Sequence, residues 1–186
     1  MKKNITLILS ILFIPIMLFA GGQSDTGAEE DAAPPSIEGI VEYLEGEAAI
    51  NDVPAEYGMT VPYGATVTTG PASYCEIVFA GGNVFRIQKS TTAEIRLSVE
   101  GPEIEIKEGS FAALFTKLNA FVSDEPLRVK TQTTVASVRG TAFFVKVEDK
   151  DSTYVCICNG ELVLSEPGGA NPEEFSSGQH KAAWFR

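Results

Sequence analysis

The chain has 186 residues, with 25 Asp and Glu against 14 Lys and Arg, a formal net charge of −11. Such a surface repels phosphate backbones and anionic headgroups, and no Lys/Arg cluster offsets it locally, which excludes nucleic-acid binding by electrostatic attraction. Hydrophobic residues at 44% and charged residues at 21% are ordinary globular usage, so an ordered domain is expected.

Lys2 and Lys3 precede an apolar run of 16 residues, Ile5–Ala20, broken only by Thr6, Ser10 and Pro15 and closed by Ala20-Gly21-Gly22. A basic start, an apolar stretch and small residues make a secretory signal peptide, assigned to residues 1–20, with cleavage after Ala20 or Gly22. The run is shorter than the roughly 20 residues needed to cross a bilayer as a helix. An uncleaved anchor is the alternative. No cysteine follows the apolar run, so a lipid-modified cysteine is excluded at that place. Losing Lys2 and Lys3 takes the net charge from −11 to −13. The mature chain is expected to be exported, periplasmic or associated with the cell surface, and not inserted in the membrane. Residues 21–36, rich in Gly, Ala, Asp, Glu and Pro, read as a flexible acidic linker. Residues 37–186 then form one domain of ordinary size.

From Ile37 the dominant period is two. Ile40–Leu44, Glu45-Gly46 and Glu47–Ile50 read as a hairpin. Cys75, Ile77 and Phe79 alternate with Tyr74, Glu76 and Val78, and after a turn at Gly81-Gly82-Asn83 the pattern resumes with Phe85 and Ile87. Ala93, Ile95 and Leu97 form the next apolar face. Ile104 and Ile106 alternate with Glu103, Glu105 and Lys107 in a half-buried strand. Leu127 and Val129, then Phe143, Val145 and Val147, continue the series. Val155–Cys158, Asn159-Gly160 and Glu161–Leu164 read as a closing hairpin. Many short strands without intervening helices predict an all-β sandwich or barrel, and the short turns predict mostly antiparallel pairing. One segment is ambiguous. Phe111, Leu114, Phe115, Leu118, Phe121 and Val122 fall at helical spacing, while Phe111, Ala113 and Phe115 alternate as in a strand.

Three cysteines, Cys75, Cys156 and Cys158, leave at least one thiol unpaired within the monomer. Cys156 and Cys158 share a strand face at a spacing of roughly 6–7 Å, too far for a disulfide between them. Cys75 can bond one of them if their strands pair; otherwise all three are small hydrophobes of the sheet.

Two stretches are distinctive: Val138-Arg139-Gly140-Thr141 followed by Ala142-Phe143-Phe144-Val145, and Gly64–Gly70 followed by Ser73–Phe79. With the opening Gly39-Ile40-Val41, the closing Val155, Ile157, Gly160 and Leu162, and Ser177-Gly178-Gln179, they resemble the FecR domain. The resemblance covers about Ile37 to Trp184. It implies a jelly-roll-like antiparallel β-sandwich in the bacterial cell envelope, and it favours the strand reading for Ser110–Phe115. The classical family member relays an iron–siderophore signal from an outer-membrane transporter to a cytoplasmic sigma factor. This chain departs from that design, with no anti-sigma segment ahead of its apolar run and no room after Arg186 for a transporter-contacting domain. The expectation is therefore a stand-alone FecR-like domain, without inherited iron signalling.

Candidate site residues follow from these patterns. Val138, Arg139, Gly140 and Thr141 read as a structural motif: Gly140 permits a geometry a Cβ would block, and the fork of Arg139 braces carbonyls or a carboxylate. No metal site is expected, because Cys-x-Cys along one strand, with His180 as the sole histidine, is awkward for tetrahedral coordination. No catalytic residues and no cofactor are assigned. His180 has no adjacent nucleophile, Glu103 and Glu105 read as a solvated strand face, and Gly81-Gly82-Asn83 is a hairpin turn rather than a phosphate cradle. Tyr74, Tyr154, Trp184 and Phe185, on polar sides of strands or at the terminus, are candidate binding aromatics. The reading is a non-enzymatic module that binds, scaffolds or signals to an envelope protein; the alternative is a glycan- or peptidoglycan-binding sandwich contacting cell-wall glycan.

Overall fold

Alternating apolar residues can be buried only if strands present one face to a second layer. The computed structural model describes residues 36–79, 82–99, 101–115, 125–178 and 180–186, with the side chains of residues 140 and 141 outside that description. The stretch read as a signal peptide and nearly all of that read as a linker, residues 1–35, lie outside the described residues. Numbered in chain order, the 14 strands of the described residues join one hydrogen-bonded network that divides into two layers. The first layer holds β1 (Gly39–Glu45), β4 (Thr60–Val61), β6 (Tyr74–Phe79), β7 (Asn83–Ile87) and β14 (Lys181–Phe185). The second holds β2 (Ala48–Ile50), β3 (Val53–Pro54), β5 (Ala65–Thr69), β8 (Thr92–Arg96), β10 (Leu127–Lys130) and β13 (Glu173–Ser177). Three long strands, β9 (Glu103–Leu114), β11 (Val135–Asp149) and β12 (Ser152–Ser165), pass through both. The first layer runs β14-β12-β11-β9-β7-β6-β1-β4, the second β13-β12-β11-β10-β9-β8-β5-β2-β3. The fold is the expected all-β, jelly-roll-like sandwich, and among the described residues no helix is long and apolar enough to cross a membrane.

Each long strand carries a bulge where it changes layer. In β9 the register steps from Thr92↔Glu108 to Ala93↔Ile106, leaving Lys107 as the extra residue. In β11 and β12 it steps from Gly140↔Gly160 to Ala142↔Asn159 and then to Phe143↔Ile157, so Thr141 is extra on one strand and Cys158 on the other. An extra residue inverts the parity of inward-facing positions. The sequence follows: Ile104 and Ile106 give way to Phe111 and Ala113, Ala136 and Val138 to Phe143 and Val145, Val155 and Ile157 to Leu162 and Leu164, all buried. The inward residues of both layers form one hydrophobic core. Phe85 is at its centre, with ring centroids 4.7 Å from Phe79, 5.1 Å from Phe111 and 5.7 Å from Phe115.

Backbone groups freed at the bends are satisfied by hydroxyls. Ser110 N–H donates to Thr91 Oγ1 at 2.9 Å, and the same hydroxyl donates to the Ser110 carbonyl at 3.1 Å. Thr69, of the Thr-Gly pair in the resemblance, donates its hydroxyl to the Gln88 carbonyl and accepts the Thr91 N–H at 3.1 Å. Buried polar groups in a sandwich are tolerated when paired in this way.

Two expectations are corrected and two are made more specific. Asn159-Gly160 is not a hairpin turn: β12 is continuous, and Gly160, at φ 119°, lies at its bend. The Asn-Gly pair signals a place where the backbone needs a conformation open to glycine, and a bulged corner needs it as a turn does. Glu45-Gly46 does not join paired strands either. β1 pairs with β6 and β4 while β2 pairs with β3 and β5, so the link crosses between layers, with Glu47 N–H held by Ser73 Oγ at 2.7 Å. The pairing of β10 with β9 is parallel, reached through residues 115–126, a connection long enough for a crossover. The helical stripe is resolved as strand through Leu114: Phe111 and Ala113 point inward and Leu114 outward. Leu118, Phe121 and Val122 lie outside the described residues.

Gly109 follows the β9 bulge at φ 83°, and a Cβ there would meet Thr91 Oγ1 at 2.2 Å and the Ser90 carbonyl oxygen at 2.5 Å. Gly109→Ala is expected to cost about 2 kcal/mol or more, and Phe85→Ala about 3–5 kcal/mol. Urea denaturation checks both as a lowered midpoint with an unchanged slope.

Candidate functional site

The two outward faces differ in chemistry. On the second layer, charged residues alternate with buried aliphatics along β8, β9 and β10, and they interlock. Glu103 receives Lys130 Nζ at 2.7 Å, Arg96 Nη1 at 3.5 Å and Arg128 Nε at 3.7 Å. Arg96 Nη2 also reaches Glu94 at 2.5 Å, and Lys107 reaches Glu94 at 3.7 Å. Isolated surface pairs contribute little, but a mesh of this kind removes carboxylates from other work. Glu103 and Glu105 belong to it, as suits a structural strand face.

The outward face of the first layer is apolar and aromatic. The ladder aligns Tyr43, Glu76, Arg86, Ala112, Phe144, Cys156 and Ala182 in one row across seven strands. Tyr74 stacks on Tyr43 at 5.3 Å and 7°, and the Arg86 guanidinium lies 5.3 Å over the Tyr74 ring. Arg86 Nε donates to Glu76 at 2.6 Å. At the other end Tyr154 meets Trp184 edge-on at 4.8 Å and Phe144 at 6.2 Å. Between these clusters the small residues Ala112 and Ala142 leave a groove of about 500 Å³, bounded by Arg86, Leu114, Phe144 and Cys158. Leu114 is 53% and Trp184 56% exposed on this face. Of the four candidate aromatics, Tyr74, Tyr154 and Trp184 lie here. Phe185 does not: it points to the other side of β14 and packs against the core. Period two along a terminal strand puts Trp184 and Phe185 on opposite faces.

The Val138–Thr141 motif occupies the corner of β11. Val138 is fully buried, Gly140 pairs with Gly160 of β12, and Thr141 is the bulge residue. Arg139 is exposed, and among the described residues no carboxylate lies within ion-pairing distance of it. It lines a second groove of about 570 Å³ with Ser137, Glu161, Glu174 and Ser176. The motif thus marks a bend whose glycines and bulge fix the layer change, with the arginine directed outward.

All three cysteines are free thiols. Cys75 is in the core, where burial pushes its thiol up to about 11. Cys156 and Cys158 meet His180, which sequence spacing alone did not bring together: Cys156 Sγ is 3.2 Å from His180 Nδ1, and Cys158 Sγ is 4.0 Å from the same atom. Register explains it, since Cys156↔Ala182 and Ile157↔Lys181 bring His180 beside Cys158. Burial, then the neighbouring Cys158, pushes the Cys156 thiol up to about 11. An activated nucleophilic cysteine is shifted the other way, toward thiolate.

Together, the bulged sandwich, its ionic second face and its aromatic first face define an all-β module with an outward surface free for contact. Residues 65–162, more than half of the chain, match FecR, described as FecR protein. The chain belongs to the FecR family, a family of regulatory rather than enzymatic domains. No curated protein matches it. Two crystal structures of a protein from Parabacteroides distasonis ATCC 8503, described as a candidate anti-sigma factor and determined at 1.65 and 2.50 Å, share its fold at a TM-score of 0.51 and 14% identity. The match covers 63% of this chain and 54% of that one, so the chain spans about half the length of that relative.

Arg139→Ala is expected to shift stability by less than about 0.5 kcal/mol, whereas Gly160→Ala at the bend costs about 1–3 kcal/mol. Thermal melts of the two variants check the contrast. Timed alkylation with mass spectrometry should label exposed Cys158 first, with Cys75 protected until global unfolding.

Proposed function

We propose that this FecR-family chain acts in the cell envelope as a protein-binding module, scaffolding or signalling through the outward face of its first layer. The observation that carries this reading is the asymmetry of the two faces. The second layer interlocks its charges along β8, β9 and β10, while the first leaves Ile40, Tyr43, Leu114 and Trp184 exposed on the face that carries a groove of small side chains. Exposed aromatics on a rigid sheet, flanking a pocket, are the anchors from which protein interfaces draw most of their energy. The basic-then-apolar start at residues 1–20 supports export, and the acidic stretch 21–36 supports a domain held at a distance from its point of attachment. The acidic surface disfavours nucleic-acid and anionic-lipid partners.

A photo-crosslinker placed at Leu114 in intact cells, with a control at the exposed Tyr57, tests the surface. A discrete protein captured from Leu114 alone is the expected outcome. Leu114→Glu and Trp184→Ala should each weaken capture by roughly thirtyfold or more, the scale of losing an interface anchor, with the melting temperature unchanged. Retention on insoluble cell wall in place of a protein partner, lost in the same variants, replaces this reading with the glycan-binding one. Fractionation and the mass of the mature chain test export.

A further inference from the structure

The conjunction of Cys156, Cys158 and His180 goes beyond partner binding. On a regular strand, residues two apart project side chains roughly 6–7 Å from one another. Here Cys158 is the bulge residue of β12, opposite Phe143 together with Ile157, and the bulge re-aims its side chain. The ligand atoms of Cys156, Cys158 and His180 consequently all lie within 4.8 Å of one another. We propose that these three side chains form a binding site for one thiophilic d10 cation, zinc(II) or copper(I).

Three observations support the assignment. The first is spacing. Zinc–sulfur and zinc–nitrogen bonds of about 2.3 and 2.0–2.1 Å at tetrahedral angles require sulfur–nitrogen separations of about 3.6 Å. The two observed separations from His180 Nδ1, 3.2 Å to Cys156 and 4.0 Å to Cys158, bracket that value. The second is donor chemistry. Two thiolates and an imidazole suit soft or borderline cations and discriminate against calcium and magnesium, which take oxygen. The third is access: Cys156 is buried while Cys158 and His180 are exposed, which gives the ion a path and leaves a fourth position for water or an incoming group. Binding forms two metal–sulfur bonds and one metal–nitrogen bond and releases two thiol protons to solvent. His180 immediately precedes β14, so the ion would clamp that edge strand onto β12 beside Tyr154 and Trp184.

The full mature chain, reduced and freed of metal under nitrogen, is titrated with zinc(II) against a chromophoric chelator, with buffered copper(I), and with cobalt(II) as a spectroscopic probe. One equivalent should bind, with thiolate-to-cobalt charge transfer in the near ultraviolet and the visible bands of four-coordinate cobalt. Trp184, the single tryptophan, reports the event by fluorescence. Relative affinities for zinc and copper(I) decide which cation the site prefers, and either supports the proposal. Cys158→Ser and His180→Ala change exposed side chains and should leave the far-ultraviolet spectrum intact. Each should lower affinity by more than the ~10–100-fold that loss of a supporting partner costs. No binding by any of the three metals, or binding unchanged in both variants, overturns it.

Discussion

Everything in this fold depends on how a strand that serves two sheets keeps its apolar side inward. Side chains alternate with period two, so the extra residue of a bulge inverts which positions face the core. β9, β11 and β12 each take such a residue, Lys107, Thr141 and Cys158, and each changes the parity of its apolar residues at that point. The bulges on β11 and β12 flank the paired glycines Gly140 and Gly160, so the two neighbouring strands bend together. Without this coordination, one half of each strand would turn its Val, Ile and Phe to solvent.

The corners also account for the motifs that mark the family. Thr69 and Thr91 supply hydroxyls to backbone groups that the bends withdraw from the ladder, and the Val138–Thr141 stretch is the β11 bend itself. A family signature can therefore reside in the geometry of layer changes. The outward surfaces lie apart from these corners, and here they carry a face of interlocked ion pairs and a face of aromatic side chains with a groove.

The β12 bulge has a further consequence on that aromatic face. It places a second thiol beside Cys156 at the end of the groove, and the register of β14 sets an imidazole against both. A device that bends a strand thus also gathers donor atoms that a straight strand would hold apart. Structural and chemical roles of one residue, Cys158, coincide without conflict because the bulged position is outside the core.

Much was legible in the sequence. Alternation alone identified the inward residues of β6 to β8, of the first half of β9 and of β10, because burial of one face leaves a direct trace in residue order. Leu114 was misleading, since a short apolar run fits helical and strand spacing alike, and only the neighbouring ladders of β7 and β11 decide which side chain turns outward. Asn159-Gly160 and Glu45-Gly46 signalled special backbone geometry correctly but not its use, because a hairpin and a corner demand similar local conformations and differ only in which distant strand is paired. For the same reason Phe185 and Trp184 could not be separated before β14 was docked on β12. The sequence by itself determined the all-β class, the core and the acidic surface, since these depend on local period and composition. The tertiary structure alone decided the layer changes, the contrast between the two faces and the meeting of Cys156, Cys158 and His180, since these depend on register between strands far apart in the chain.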